Sequence, residues 1–192
     1  MRRLLIAAMA MILTGCSGST GAHSAHGGHG AAGGDGHNAA DVMFLQMAVT
    51  HHEQGVDLVR MVGDRPVRTQ VRDLAKAIEL TQAAEIDTMR DWLEKWGQPA
   101  SADPDPAAHS HHGGPAVTAP DTIAALTALP DGEFESRFVT VLTGHQHNAV
   151  ELARTELADG VDPAVRALAD RVVRSRTGQI QQLLGLAGQS PG

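Results

Sequence analysis

Cysteine is almost missing from this chain. Cys16 is the only one among 192 residues, so no disulfide can form within the chain and its stability must come from an apolar core. Tyrosine is absent, and Phe and Trp number only three and two. Positive charge is in deficit: 15 Lys and Arg stand against 22 Asp and Glu, a formal net charge of -7. That balance argues against nucleic acid as a partner and suits cations. Signatures of catalysis are missing too. His52-Glu53-Gln54-Gly55-Val56 lacks the second His that a zinc-peptidase helix needs four residues on, and no Glu-x-x-His occurs anywhere, which leaves the usual di-iron carboxylate bundle unsupported. Against these shortages stand eleven histidines, every one of them after Cys16.

The chain begins Met1-Arg2-Arg3, runs through mostly apolar residues from Leu4 to Leu13, and reaches Leu13-Thr14-Gly15-Cys16. A positive start and a short apolar run make an export signal, and the run is too short to span a bilayer. Leu-Thr-Gly-Cys resembles the lipobox of bacterial lipoproteins, in which the signal, here residues 1–15, is removed and the cysteine carries a lipid. An ordinary signal peptide with an incidental cysteine is the alternative. Cys16 is thus the expected lipidation site and the protein's membrane contact. The expected location is exported, lipid-anchored on the outer face of the cytoplasmic membrane or in the cell envelope. Loss of the signal leaves 177 residues with 13 basic against 22 acidic side chains, enough for one domain.

Residues 16–38 are mostly Gly, Ala, Ser and His, with too little to bury to offset the entropy of ordering. They read as a flexible arm carrying His23, His26, His29 and His37. Residues 97–120, with Pro99, Pro104, Pro106, Pro115 and the cluster His109-Ser110-His111-His112, read as a linker. Residues 39–96 predict a first helical hairpin. Met43, Phe44, Met47, His51, Gln54, Leu58 and Met61 recur at three- and four-residue spacings, Gly63-Asp64-Arg65-Pro66 breaks the chain, and Val67, Val71, Leu74, Ile78, Gln82, Glu85, Met89 and Trp96 stripe a second helix. Residues 121–188 repeat the plan. A gapless shift of 94 places Phe44 on Phe138, His51 on His145, Leu58 on Leu152, and Val71-Arg72-Asp73-Leu74-Ala75 on Val165-Arg166-Ala167-Leu168-Ala169. The fold expected is all-α, two hairpins derived by duplication and set side by side as one four-helix bundle over 39–188, the linker crossing between them.

On a helical wheel, Met43, Met47, His51, Gln54 and Met61 fall on one face, so thioethers and an imidazole form a row of potential ligands, with His52 turned about 100° away. In the next helix Gln82 and Glu85 interrupt an apolar stripe. With the turn centred near Asp64 and Arg65, Met47 would face Gln82 and Met43 would face Glu85 or Ile86. Buried polar groups need partners, and an ion is one; the bland alternative is a hydrogen bond from Glu85 to His51 with the methionines as core filler. Thioether and imidazole together suit copper, Cu(I) through Met and Cu(II) through His and carboxylate, while zinc stays open through His and Glu.

The run Asp41-Val42-Met43-Phe44-Leu45-Gln46-Met47 leading to His51-His52, with Gln82-Ala83-Ala84-Glu85-Ile86 and Met89 to Trp92-Leu93, resembles domain-of-unknown-function family 305, strongly over residues 41–96 and weakly over 131–187. The resemblance implies an exported protein with a ferritin-like helical fold, and for some members a part in periplasmic copper binding and resistance. It points to Met47, His51, His52, Gln82, Glu85 and Met89. The second hairpin departs from the pattern: by the same shift Met47 becomes Val141, His52 becomes Gln146, Gln82 becomes Arg176, Glu85 becomes Gln179 and Met89 becomes Leu183. It keeps His145 and gains His147, and is expected to be chiefly structural, with His145 as its contribution to a shared site.

The metal candidates are therefore Met43, Met47, His51, His52, Met61, Gln82, Glu85, Met89, His145 and His147. Histidines 23, 26, 29, 37, 109, 111 and 112 are weak, exchangeable capture sites that fade as they protonate near pH 6. The function this favours is a membrane-tethered copper-binding protein that sequesters the ion, confers tolerance or delivers it to an unidentified partner. A redox-active metalloenzyme and a metal-free interaction module are the alternatives, and a homodimer that completes the site stays open.

Overall fold

A computed structural model describes residues 36–101 and 117–188. Cys16, the signal segment, most of the arm, and His109, His111 and His112 lie outside the described residues. All described elements are helical: α1 Ala39–Arg60, α2 Thr69–Lys95, α3 Pro120–Thr127, α4 Asp131–Asp159 and α5 Pro163–Ala187. None of them is long and apolar enough to cross a membrane. α1 packs on α2, α4 on α5, and the hairpins meet where α1 lies against α4.

Local chemistry sets the helix ends. Asn38 and Asp41 form a capping box, the Asp41 N–H donating to Asn38 Oδ1 at 3.0 Å and the Asn38 N–H to Asp41 Oδ2 at 2.6 Å. Asp162 caps α5 by accepting from the N–H groups of Ala164 and Val165, with Pro163 in the first turn. Gly97, just past the C-cap Trp96 of α2, has a φ of +64°, the left-handed conformation that closes a helix.

Two features differ from the sequence expectation. The second hairpin is preceded by a separate short helix, α3, cut from α4 by Pro130. The first hairpin also turns later than expected. α2 begins at Thr69 rather than Val67, because Pro66 to Arg68 forms an irregular approach whose Arg68 N–H is taken by Glu135 Oε2 at 2.6 Å. The register shifts with it: His52, not Met43, lies across from Glu85, and Gly55, not Met47, lies across from Gln82.

Contacts repeat across the two halves under the shift of 94. Asp41 accepts the N–H of Asp162 at 2.9 Å, and its counterpart Glu135 accepts the N–H of Arg68, the counterpart of Asp162. Arg72 donates to the carbonyls of Gly63 and Arg65 in one connection, and Arg166 donates to Leu157 and Gly160 in the other. Each hairpin's first helix thus holds the turn of the opposite hairpin.

The interior is divided. One apolar cluster gathers Leu58, Val62, Val71, Leu74, Ile78, Leu126, Phe134, Phe138, Leu142 and Leu183; a second gathers Phe44, Leu45, Val49, Ile86, Met89, Leu93, Ala153, Val165, Leu168 and Val172. Burying each large side chain contributes about 1.5–3 kcal/mol. On every long helix the stretch between the clusters is polar: His51 and His52, Gln82 and Glu85, His145 and Gln146, Arg176 and Gln179.

One buried carboxyl breaks the repeat. Glu156 occupies the position of buried Val62, and its carboxyl is buried beside Asp41 and beneath Gly160, where a Cβ would lie 1.9 Å from Glu156 Oε1. Burial and the neighbouring Asp41 carboxylate push its pKa up to about 8, with Arg166 opposing and Asp162 adding to the rise. Asp41 moves the other way: burial would raise it, but N–H donors from Asn38, Asp162 and Val161 hold it below the usual range. Because the folded state holds the Glu156 proton more tightly than the unfolded chain does, its contribution is complete below the ordinary carboxyl pKa and is lost as pH rises through about 8. Thermal unfolding between pH 6 and 9 should show melting temperature falling with pH, and Glu156→Gln should flatten that fall; an unchanged slope in the variant would place the titration elsewhere.

Candidate metal centre

The polar belt centres on His51 and His145, which lie on α1 and α4 and are counterparts in the repeat. Their rings stack with centroids 3.9 Å apart and planes 17° from parallel. His51 Nε2 lies 3.2 Å from the His145 carbonyl oxygen, and His145 Nδ1 lies 3.1 Å from Thr118 Oγ1. With His51 donating Nε2–H to that carbonyl and His145 donating Nδ1–H to the hydroxyl, His51 Nδ1 and His145 Nε2 carry lone pairs. Both nitrogens are buried and have no hydrogen-bond partner. An imidazole fixed through one nitrogen with the other left bare is how metal-binding histidines are commonly oriented.

Thr118 is held in turn. Gln54 donates Nε2–H to the Thr118 carbonyl at 2.9 Å and accepts the Thr118 N–H at 2.6 Å, which docks the chain before α3 onto α1. Gln82 completes the centre from α2. Its amide is fully buried, and neither Oε1 nor Nε2 has a partner. Gly55 makes room for it: a Cβ there would stand 2.2 Å from Gln82 Oε1 and 2.8 Å from His145 Nε2. Bare polar atoms from α2 and α4 therefore crowd around the methyl group that Gly55 of α1 lacks.

His52 faces another neighbour, as its offset from His51 implies. Its Nε2–H donates to Glu85 Oε2 at 2.9 Å, and Arg176, a fully buried guanidinium on α5, donates to the same oxygen. The repeat preserves the geometry with neutral partners, since Gln146 donates to Gln179 at 2.7 Å.

These surroundings fix the charges. Burial pushes His51 well below the ordinary imidazole range, with the charges of His145, His52 and Arg176 adding to the effect. Burial, then His52 and Arg176, lowers His145 to about 3. His52 is lowered by burial and Arg176 despite Glu85. Glu85 would be raised by burial, but His52 and Arg176 hold it below the usual carboxylate range. At neutral pH the belt thus contains neutral imidazoles beside one internal ion pair.

Of the residues singled out by sequence, His51, His52, Gln82, Glu85 and His145 come together, and Met47 lies buried one turn before His51. Met43 is half-buried a further turn away. Met61 sits just past the end of α1 against the first apolar cluster, and Met89 is packed into the second; His147 is exposed. Met61 is separated from His51 by almost three helical turns, about 15 Å, too far for a shared ion. His37, placed on the arm by sequence, stacks on Trp96 with centroids 3.9 Å apart. Sequence reasoning missed Thr118, hidden in the linker, and Arg176, whose signal was a lone cation in an apolar stripe. Among the described residues, no three His, Cys, Asp or Glu side chains form a ready chelate.

An all-helical protein with a histidine pair buried between two hairpins is the class these observations define. The family description Domain of unknown function (DUF305) matches residues 41–187, and the chain belongs to that family. Among solved structures it is similar to a DUF305 fragment from Deinococcus radiodurans, at 28% identity and a TM-score of 0.69, covering 79% of this chain and 97% of that one. It is also similar to a DUF305 protein from Streptomyces coelicolor, described as secreted, at 26% identity and a TM-score of 0.71, covering 80% and 96%. CopM in its Cu(I)-bound form shares the fold at 22% identity and a TM-score of 0.64, covering 76% and 94%. A search of curated proteins finds no match.

Two outcomes follow from the packing. Gly55→Ala should lower stability by about 1–3 kcal/mol through overpacking, although Gly to Ala inside a helix ordinarily gains roughly 1 kcal/mol; chemical denaturation reads the sign. The metal-free protein should lose stability as pH falls below the ordinary imidazole pKa, because the unfolded histidines take up protons that buried His51 and His145 refuse. A His51→Gln, His145→Gln variant should lose much of that acid sensitivity.

Proposed function

We propose that this protein binds copper outside the cytoplasm, holding the ion between the two hairpins of a ferritin-like four-helix bundle, and sequesters or passes it on without turnover. The observation that carries the reading is a set of unpartnered buried donors in one belt: His145 Nε2 and the Gln82 amide crowd against Gly55, and His51 Nδ1 belongs to the ring stacked on His145. Buried polar atoms without partners are costly, and an ion would satisfy them. Their chemistry fits copper: two neutral imidazoles, an amide oxygen, and the Met47 thioether one turn away. Related folds add support, since CopM has been seen in Cu(I)-bound, Cu(II)-bound and Ag-bound forms.

The histidines at 23, 26, 29, 109, 111 and 112 would raise the local metal concentration by weak capture. Lipid on Cys16 would tether the molecule, and the described-as-secreted relative agrees with export. Cys16→Ser should move the protein out of the membrane fraction; retention there would refute the lipid anchor.

Copper above its dissociation constant should raise the melting temperature, by an amount equivalent to about 2.7 kcal/mol at a hundredfold excess. Met47→Leu combined with His51→Gln should abolish the rise while leaving the metal-free protein folded, and His145→Gln should do the same, because His145 stacks on His51. Equal stabilisation of the parent and these variants would assign the copper to the outlying histidines instead.

A further inference from the structure

Arg176 is fully buried at the level of the histidine pair. The shift of 94 places it on Gln82, a neutral amide at the corresponding point of the first hairpin. Its guanidinium donates to Glu85 Oε2, to Ser175 Oγ at 2.7 Å, and lies 3.3 Å from His52 Nε2. Glu85 is the one carboxylate of the polar belt, and Arg176 and His52 already share its Oε2.

We propose that Arg176 sets the charge selectivity of the histidine pocket, admitting soft monovalent cations such as Cu(I) and Ag(I) and disfavouring divalent Cu(II) and Zn(II). The inference rests on the copper-binding reading and specifies its cargo. With Glu85 neutralised from within, the donors left for an ion are uncharged imidazoles, an amide and a thioether. Desolvating an ion costs more as the square of its charge, so a divalent ion in a buried site needs anionic ligands. Neutral nitrogen and sulfur donors suit the softer, singly charged ion. The guanidinium stands in the belt itself, 3.3 Å from Nε2 of His52, the neighbour of His51 on α1, so its field reaches the pocket. The same field acts on a metal ion in proportion to its charge.

The test uses the full chain with His23, His26, His29, His109, His111 and His112 replaced by Ala, so that those six imidazoles do not report. Competition titrations with Cu(I), Ag(I), Cu(II) and Zn(II) then compare this parent with variants, and circular dichroism follows the fold. Arg176→Gln, which installs the residue found at the repeat position, frees Glu85. It should tighten Cu(II) and Zn(II) roughly tenfold and Cu(I) only about threefold, because the lost charge acts twice as strongly on a divalent ion. Arg176→Lys should keep the parent's preference, and Arg176→Gln with Glu85→Gln should lose the divalent gain. An unchanged ratio of Cu(I) to Zn(II) affinity in Arg176→Gln overturns the proposal. If that variant fails to fold, Glu85→Gln decides: by unmasking the guanidinium it should weaken Cu(I) and Ag(I), and unchanged affinity there also overturns the proposal. Should the parent bind no Cu(I), or bind it independently of His51 and His145, the copper reading itself fails. Cu(I) held by those histidines with no role for Arg176 refutes this inference alone.

Discussion

A charge buried between two apolar cores has to be matched where it stands, and the ion pair between Arg176 and Glu85 is that match. Removing either partner would leave the other charged in a low-dielectric interior, a loss of about 3–5 kcal/mol for such pairs. The pair joins α5 to α2, two helices that otherwise touch little. Its presence explains the rest of the belt. His52 donates to the same carboxylate, and the Arg176 charge adds to the burial that keeps His51 and His145 neutral.

The belt also shows how two halves that repeat each other's contacts differ at their centre. Both halves keep the supports: the acid in each first helix that holds the opposite turn, and the arginine that clasps its own connection. They part company at the centre. The first half keeps His52 and Glu85, while the second substitutes Gln146 and Gln179 in the same hydrogen-bonded geometry. A symmetric scaffold thereby holds an asymmetric set of charges, with the stacked histidines as the element the halves still share.

Much of this was legible in the sequence because it depends on local periodicity. The 3.6-residue stripe revealed the four long helices, and the gapless repeat paired His51 with His145. The 100° offset set His52 on another neighbour. What escaped depends on irregular backbone or on distance. The register of the first hairpin follows from Pro66 to Arg68 being tied to Glu135, a contact between residues 67 apart that no stripe encodes. Thr118 reads as linker because only its docking by Gln54 gives it a role. Met61 and Met89 share the spacing of ligands and of core filler alike, and the structure puts both with apolar neighbours. Arg176 looked like a lost glutamine, whereas its buried partner lies on another helix.

The most direct measurement is X-ray absorption at the copper edge on Cu(I)-loaded protein whose histidines at 23, 26, 29, 109, 111 and 112 have been replaced. Two imidazole nitrogens with a sulfur scatterer, the nitrogens lost in His51→Gln with His145→Gln and the sulfur lost in Met47→Leu, is the result expected. A first shell that survives those substitutions intact would contradict a copper site between the hairpins.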